Sequence, residues 1–316
     1  ASFPKMNLFF LAWTALVPLV YALMRSSAKT AVLYGFVSGF VFNAAALYWL
    51  IPMLEFNTGS YVQAFSAACA LWAYLALYWA LWGFFVNISK KSFLSPWIIS
   101  LFAACAWVLL EYARTYFLTG FPWVLMGYSQ YRFTEAIQIA EFSAVYGVSF
   151  LLVACNMLFY FWFSRDKGDK YLFAAVFLIV SVSVFGMYRL DKFKFFGDGF
   201  FSAVIVQPNV DQYKKWDQNY KDDILSGLEK YAFKAAEMNP DLIVWPETAL
   251  PDFLPWDRQT YKTAKRITQA AGGLSIMGAP YSDGTHRLFN AVFAFRPDGE
   301  GYTALHMKNH LVPFGE

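Results

Sequence analysis

The chain has 316 residues, of which 58% are hydrophobic, 21% aromatic and only 15% charged, with a formal net charge of +3. A soluble domain carries about a quarter charged residues, so ordinary soluble composition is excluded for much of the length. No run of Lys or Arg marks a nucleic-acid surface, and the basic excess falls in loops between apolar segments.

The charges are unevenly placed. Residues 1–188 hold ten Lys/Arg and six Asp/Glu, which leaves fifteen and sixteen for residues 189–316. The first part reads as a transmembrane helical domain, 189–199 as a connector, and 200–316 as a domain of ordinary globular composition. Six stretches reach the roughly 20 apolar residues that a bilayer crossing needs: 6–24, 31–54, 62–86, 92–110, 142–163 and 171–188. Trp49, Trp79, Trp82, Trp97 and Trp162 lie near span ends, where interfacial aromatics collect.

Alternate loops carry Arg25 and Lys29, then Lys90 and Lys91, then Arg165, Lys167 and Lys170, whereas the intervening loops carry only Arg114 and Arg132. The positive-inside bias therefore places the first group in the cytoplasm and residues 189–316 outside. Six spans also leave residue 1 outside, which predicts a further upstream span. Span 6–24 lacks the basic flank and cleavage site of a signal peptide. Residues 111–134 are too apolar for a free loop, and Gly120, Pro122 and Gly127 break any long helix, so the segment is expected to lie in the external interface. The listed spans contain no ionisable residue, which argues against a transporter.

Beyond Phe200 the pattern alternates between strand and helix. SAVIVQ (202–207) and LIVW (242–245) read as buried strands, and 219–239 and 257–272 as helices, the second closed by Gly272. LSIMG (274–278) and FNAVFAF (289–295) follow as strands, and PDGEG (297–301) turns into YTALHM. This is an α/β domain.

In such domains ligands gather beyond the carboxyl ends of the strands. Glu247 stands two residues past LIVW, where Pro246 ends the ladder, and Trp245 and Pro246 are expected to shield it and favour a general base. Taken alone, it could equally cap a loop. Lys308 follows the last strand, with the apolar LVPF (311–314) beside it and Glu316 at pairing distance, an arrangement suited to stabilising an oxyanion. His306 and His310 have i, i+4 spacing but lie on a strand-to-loop stretch without a third ligand, so no metal is expected. Cys69, Cys105 and Cys155 all fall in apolar spans and form neither a disulfide framework nor a metal set.

QPNV (207–210), KKWD (214–217), VWPETALPD (244–252) and KNHLVPFGE (308–316), behind apolar spans that include GFPWVLMGYSQ (120–130), resemble the bacterial apolipoprotein N-acyltransferases. That family is the membrane branch of the carbon–nitrogen hydrolase, or nitrilase-like, superfamily. The resemblance implies six transmembrane helices followed by part of an αββα nitrilase-like domain with an unpaired sheet edge. It implies Glu247 as base, Lys308 as the residue stabilising the tetrahedral intermediate, and Glu316 and Asn290 as supports. Trp216 and Trp123 would stand near the lipid entrance. The family's nucleophilic cysteine would lie beyond residue 316, leaving this chain inactive by itself.

The implied reaction moves an acyl chain from a phospholipid to the α-amine of a diacylglyceryl-cysteine on an apolipoprotein, at the periplasmic face of the inner membrane, with no cofactor. Another membrane-tethered nitrilase-like amidase or acyltransferase would use the same residues.

Overall fold

The computed structural model describes residues 2–3, 7–90, 94–192, 201–211, 214–284, 287–299 and 301–309. The chain divides into two compact units, residues 1–196 and 197–316.

The first unit is helical. Its helices are α1 (Val17–Arg25), α2 (Ala28–Leu47), α3 (Leu50–Thr58), α4 (Tyr61–Ser89), α5 (Pro96–Tyr116), α6 (Thr134–Ile137), α7 (Ala140–Ser164) and α8 (Asp169–Lys192). Ser27, Ser60 and Ser95 cap α2, α4 and α5 by accepting the free amides of Thr30, Gln63 and Ile98. Gly59 closes α3 at φ 67°, a left-handed conformation that glycine adopts without strain.

Five of these helices, α2, α4, α5, α7 and α8, are long and apolar enough to cross a membrane. The stretch expected as a first span, 6–24, is instead broken into a 3₁₀ turn at Phe9–Trp13 and the nine-residue α1. Backbone groups freed by such a break must find partners when water is absent. Asn156 of α7 supplies them: its Oδ1 accepts from Leu16 N at 2.8 Å, and its Nδ2 donates to Ala12 O at 2.8 Å and Leu152 O at 2.7 Å. The expected loop from 111 is corrected as well, because α5 continues through Tyr116. That extension places Glu111 and Arg114 inside a candidate span, both buried, so the spans are not free of ionisable groups.

α2 and α4 pack closely because Gly35 and Gly39 give α2 a bare stripe. A Cβ at Gly35 would stand 2.4 Å from the Trp79 carbonyl oxygen, so small residues at i and i+4 let the two backbones approach. Behind this contact Trp107 meets Trp79 and Trp82 edge-on, each at 4.9 Å between ring centroids. Leu33, Val41, Phe142, Phe163 and Phe173 point outward, as lipid-facing side chains do.

The second unit contains β1 (Ala203–Ile205), α9 (Lys221–Ala236), β2 (Leu242–Val244), α10 (Arg258–Ala271), β3 (Leu274–Ser282), β4 (Leu288–Phe295) and β5 (Tyr302–Met307). The strands form one mixed sheet in the order β1-β2-β3-β4-β5. β1, β2 and β3 are parallel, with helices as crossovers, and β3, β4 and β5 are antiparallel. Ile243, Met277, Phe293 and Phe295 form the sheet side of a core completed by Leu228 and Ile267 of the two helices. Gly272 caps α10 at φ 77°, its amide donating to Thr268 O at 3.1 Å. β1 is not buried as its composition suggested: among the described residues it is an edge strand, and Ile205 is 80% exposed.

Lys221, at the start of α9, fastens the segment that follows β2. Its Nζ lies 2.7 Å from Asp252 Oδ2 and 2.9 Å from Asp257 Oδ2. Burial pushes this ammonium down, but the two carboxylates outweigh it and raise it above its ordinary value. Burial likewise pushes Asp257 up, and its bonds from Thr260 and Lys221 outweigh that and hold it below the usual carboxylate range.

Two outcomes follow for stability. Asn156→Leu keeps the side-chain volume and strands the Ala12 and Leu16 backbone groups, so it should lower stability by about 1–3 kcal/mol, read as a reduced melting temperature in detergent. Lys221→Met should destabilise the α/β unit by about 1–2 kcal/mol at pH 7, because two half-buried carboxylates lose the ammonium they share. A depressed carboxylate contributes stability above its unfolded pKa and loses it as pH falls through the folded value. The gap between Lys221→Met and the unaltered chain should therefore narrow below about pH 4. Urea titrations read by hydrogen–deuterium exchange of α9 and α10 peptides measure both terms.

Candidate functional site

Glu247 reaches the site because β2 stops three residues earlier, at Val244. Trp245 still donates its amide to Ile276 O at 2.8 Å, and Pro246 has no amide to continue the ladder. The chain then runs against β3, where Gly278 makes room. A Cβ there would lie 2.5 Å from Thr248 N and 2.7 Å from Pro246 O. Leu250 N donates to Gly278 O at 3.1 Å and holds the turn down.

Two strands bring donors to the carboxylate. Asn290 stands on β4 opposite Pro280 of β3, and its Nδ2 donates to Glu247 Oε1. Lys308 follows β5, with its amide donating to Asn290 O at 2.8 Å and its Nζ lying 3.0 Å from the same Glu247 Oε1. One carboxylate oxygen is thus held by an amide and an ammonium from adjacent strands.

The side chains are more open than their neighbours in sequence implied: Glu247 is 60% exposed and Lys308 30%. Trp245 is buried in the sheet core and so does not cover the carboxylate. The LVPF run expected to enclose Lys308, together with His310 and Glu316, lies outside the described residues.

Lys215 joins the cluster, and sequence reasoning passed over it. Its Nζ donates to the backbone carbonyl of Glu247 at 3.2 Å and to Thr248 Oγ1. Burial pushes this ammonium below its ordinary value, while the charge of Glu247 pulls the other way. Lys215, Glu247 and Thr248 line a cavity of about 190 Å³ with Gln207 and Asn209. The signal was present in KKWD, where the tryptophan drew attention and the lysine beside it makes the contact. Trp216 itself is 51% exposed, with Lys215 Nζ 5.8 Å from its ring centroid.

Trp123 belongs to the helical unit. It stacks on Trp49 at 5.2 Å between ring centroids, is 45% exposed, and its carbonyl accepts from Arg114 at 3.1 Å.

A carboxylate touched by a lysine and an amide can accept a proton from a nucleophile while the cation faces a developing oxyanion. Among the described residues no cysteine stands in this unit; all three lie in α4, α5 and α7.

Residues 1–158 match the family model described as the apolipoprotein N-acyltransferase N-terminal domain. Curated relatives carrying the name apolipoprotein N-acyltransferase include proteins of Geobacter metallireducens (32% identical, covering 100% of this chain and 62% of the relative), Nitrosomonas europaea (29%, 96% and 59%) and Haemophilus influenzae (27%, 100% and 61%). The chain spans about three fifths of the length of these relatives. With half of its length under the family model and full-length similarity to these enzymes, the chain, a multi-pass membrane protein, belongs to the apolipoprotein N-acyltransferase family.

Proposed function

We propose that the chain carries the membrane anchor and the glutamate–lysine part of an enzyme that moves an acyl chain from a phospholipid to the α-amine of a diacylglyceryl-cysteine on an apolipoprotein. The observation that carries this reading is the meeting of Asn290 Nδ2 and Lys308 Nζ on one oxygen of Glu247. In this reading the sheet is part of a nitrilase-like sandwich. The broken apolar segment Phe9–Arg25 joins the five longer helices as a sixth pass. Arg25, Lys29, Lys90, Lys91, Arg165, Lys167 and Lys170 fall at or between span ends on one side of the membrane, against Arg114 and Arg132 on the other, which favours a periplasmic α/β unit anchored in the inner membrane.

The chemistry runs in two halves. Glu247 takes the proton of a cysteine thiol supplied from outside residues 1–316, and the thiolate attacks the ester carbonyl of the phospholipid. The oxyanion that forms faces Lys308. Its collapse breaks the ester C–O bond, and the departing lysophospholipid alkoxide takes the proton back from Glu247. The acceptor amine then attacks the thioester, Glu247 removes the amine proton, and the regenerated thiolate is reprotonated as the amide forms. Asn290 holds the carboxylate in reach throughout. Keeping the site at the membrane avoids moving acyl chains into water, which costs about 0.8 kcal/mol per CH₂.

An acyl-transfer assay with a phospholipid donor and a diacylated lipopeptide, run on the gene with its natural flanking sequence, tests the reading. Glu247→Gln should lower kcat by about 10²–10⁴, and Lys308→Met by about 10²–10³. Variants that keep full transfer would sink the assignment. The 316-residue chain alone should form no hydroxylamine-sensitive acyl adduct, because Cys69, Cys105 and Cys155 all lie within long apolar helices. An adduct detected by mass spectrometry would contradict this.

A further inference from the structure

β1 and β2 are parallel neighbours, so the loops that leave their carboxyl ends lie side by side. The loop after β1 carries Lys215, placed by a turn in which the Lys214 and Lys215 amides both donate to Asp211 O at 3.1 Å. The loop after β2 carries Glu247 and Thr248. A cavity of about 190 Å³ separates the two, lined by Gln207, Asn209 and Lys215 from one loop and by Glu247 and Thr248 from the other. Packing therefore does not press the loops together there. The half-buried Lys215 spans the gap, its Nζ donating to Glu247 O at 3.2 Å and to Thr248 Oγ1.

Thr248 holds φ at 47°, in the left-handed region, where a β-branched side chain is strained. Trp245 before the turn and Ala249 and Leu250 after it are buried in the core, so the ends of the turn are fixed. What remains free is the peptide plane between Glu247 and Thr248. Its rotation changes ψ of the first residue and φ of the second, and leaves the ends in place. Such a rotation would carry Thr248 to negative φ and swing the Glu247 carbonyl away from Lys215. The lysine thus grips the carbonyl of the peptide whose rotation would relax the turn. On the opposite side, a Cβ at Gly278 would stand 2.5 Å from Thr248 N and 2.9 Å from Glu247 Cα. That leaves little room for a rotated plane, so relaxation shifts the Glu247 Cα outward, away from the donors that meet its carboxylate on one oxygen.

We propose that Lys215 is a positioning residue for Glu247, holding the strained Glu247–Thr248 peptide in the orientation that aims the carboxylate at Asn290 and Lys308. It touches no reacting atom and acts through the base. A half-buried ammonium stays at this place against a desolvation cost, which the carbonyl, the hydroxyl and the nearby charge of Glu247 offset. The consequence for catalysis rests on the acyl-transfer reading, whereas the pinning of the turn rests on backbone geometry alone.

The test uses the protein with its natural flanking sequence, purified in detergent. Lys215→Met removes the donors and keeps the apolar stem. It should lower kcat for acyl transfer by about 10²-fold, the scale of a 1 Å misplacement, and change KM by no more than about twofold. Hydrogen–deuterium exchange of the Ala249 and Leu250 amides, which donate to Pro246 O and Gly278 O, should quicken about tenfold. Adding Thr248→Asn, a residue that tolerates positive φ, should raise kcat at least about tenfold over Lys215→Met alone and restore slow exchange. Unchanged exchange in Lys215→Met would overturn the pinning. Faster exchange with unchanged kcat would overturn the positioning role, and so would a kcat loss that Thr248→Asn does not recover, which marks a direct effect of charge. Full transfer by Glu247→Gln, or none by the unaltered protein, would count against the acyl-transfer reading instead. The exchange measurement would then still decide whether Lys215 holds the turn.

Discussion

Everything at the candidate site depends on strand register bringing two donors to one carboxylate oxygen. Side chains alternate between the faces of a sheet, so a shift of one residue in β4 would turn Asn290 to the opposite face. The pairing of Asn290 with Pro280 fixes β4 against β3, and the bond from Lys308 N to Asn290 O fixes the end of β5 against β4. Glu247 comes from a different kind of constraint, a turn after β2 pressed against Gly278. Three independent stretches of chain therefore meet through backbone geometry, and the side chains add only the last few ångströms.

The helical unit obeys a stricter rule, that no backbone polar group goes bare in hydrocarbon. Asn156 shows how the rule permits irregular structure: one side chain serves three backbone groups, so the chain can break between Trp13 and Val17. Glu111 and Arg114 do similar work further along, since the Met126 amide and the Trp123 carbonyl are free of helical partners and the two charged side chains hold them.

Much of this was legible from residue patterns and some was not. Apolar length located α2, α4, α5, α7 and α8, because a bilayer crossing is set by a count of residues. It failed at 6–24, where composition carries no trace of the Asn156 contact 140 positions away that favours the break. It failed also at Glu111, where charged residues read as the end of a span, although helix propensity and tertiary burial carry α5 to Tyr116. In the second unit, strand and turn chemistry gave the element order and the Gly272 cap. The exposure of Ile205 was hidden, since an edge strand and a central one look alike in three residues. Glu247 and Lys308 stood out by their places at strand ends, and Asn290 came only through motif resemblance. Lys215 was missed because its contact depends on how the 214–217 turn folds over Thr248, which spacing does not encode.

The irregularity in the β4–β5 ladder falls between Ala294 and Phe295, near the hairpin and several pairs away from Asn290. From Ala294↔Ala304 to Ala291↔Met307 the pairing is unbroken. That bulge acts as a slack point: a residue gained or lost in the hairpin can be taken up there before the disturbance travels down the strands. Evolution can thus lengthen or shorten the 296–301 tip freely while the distance between lysine and carboxylate stays fixed.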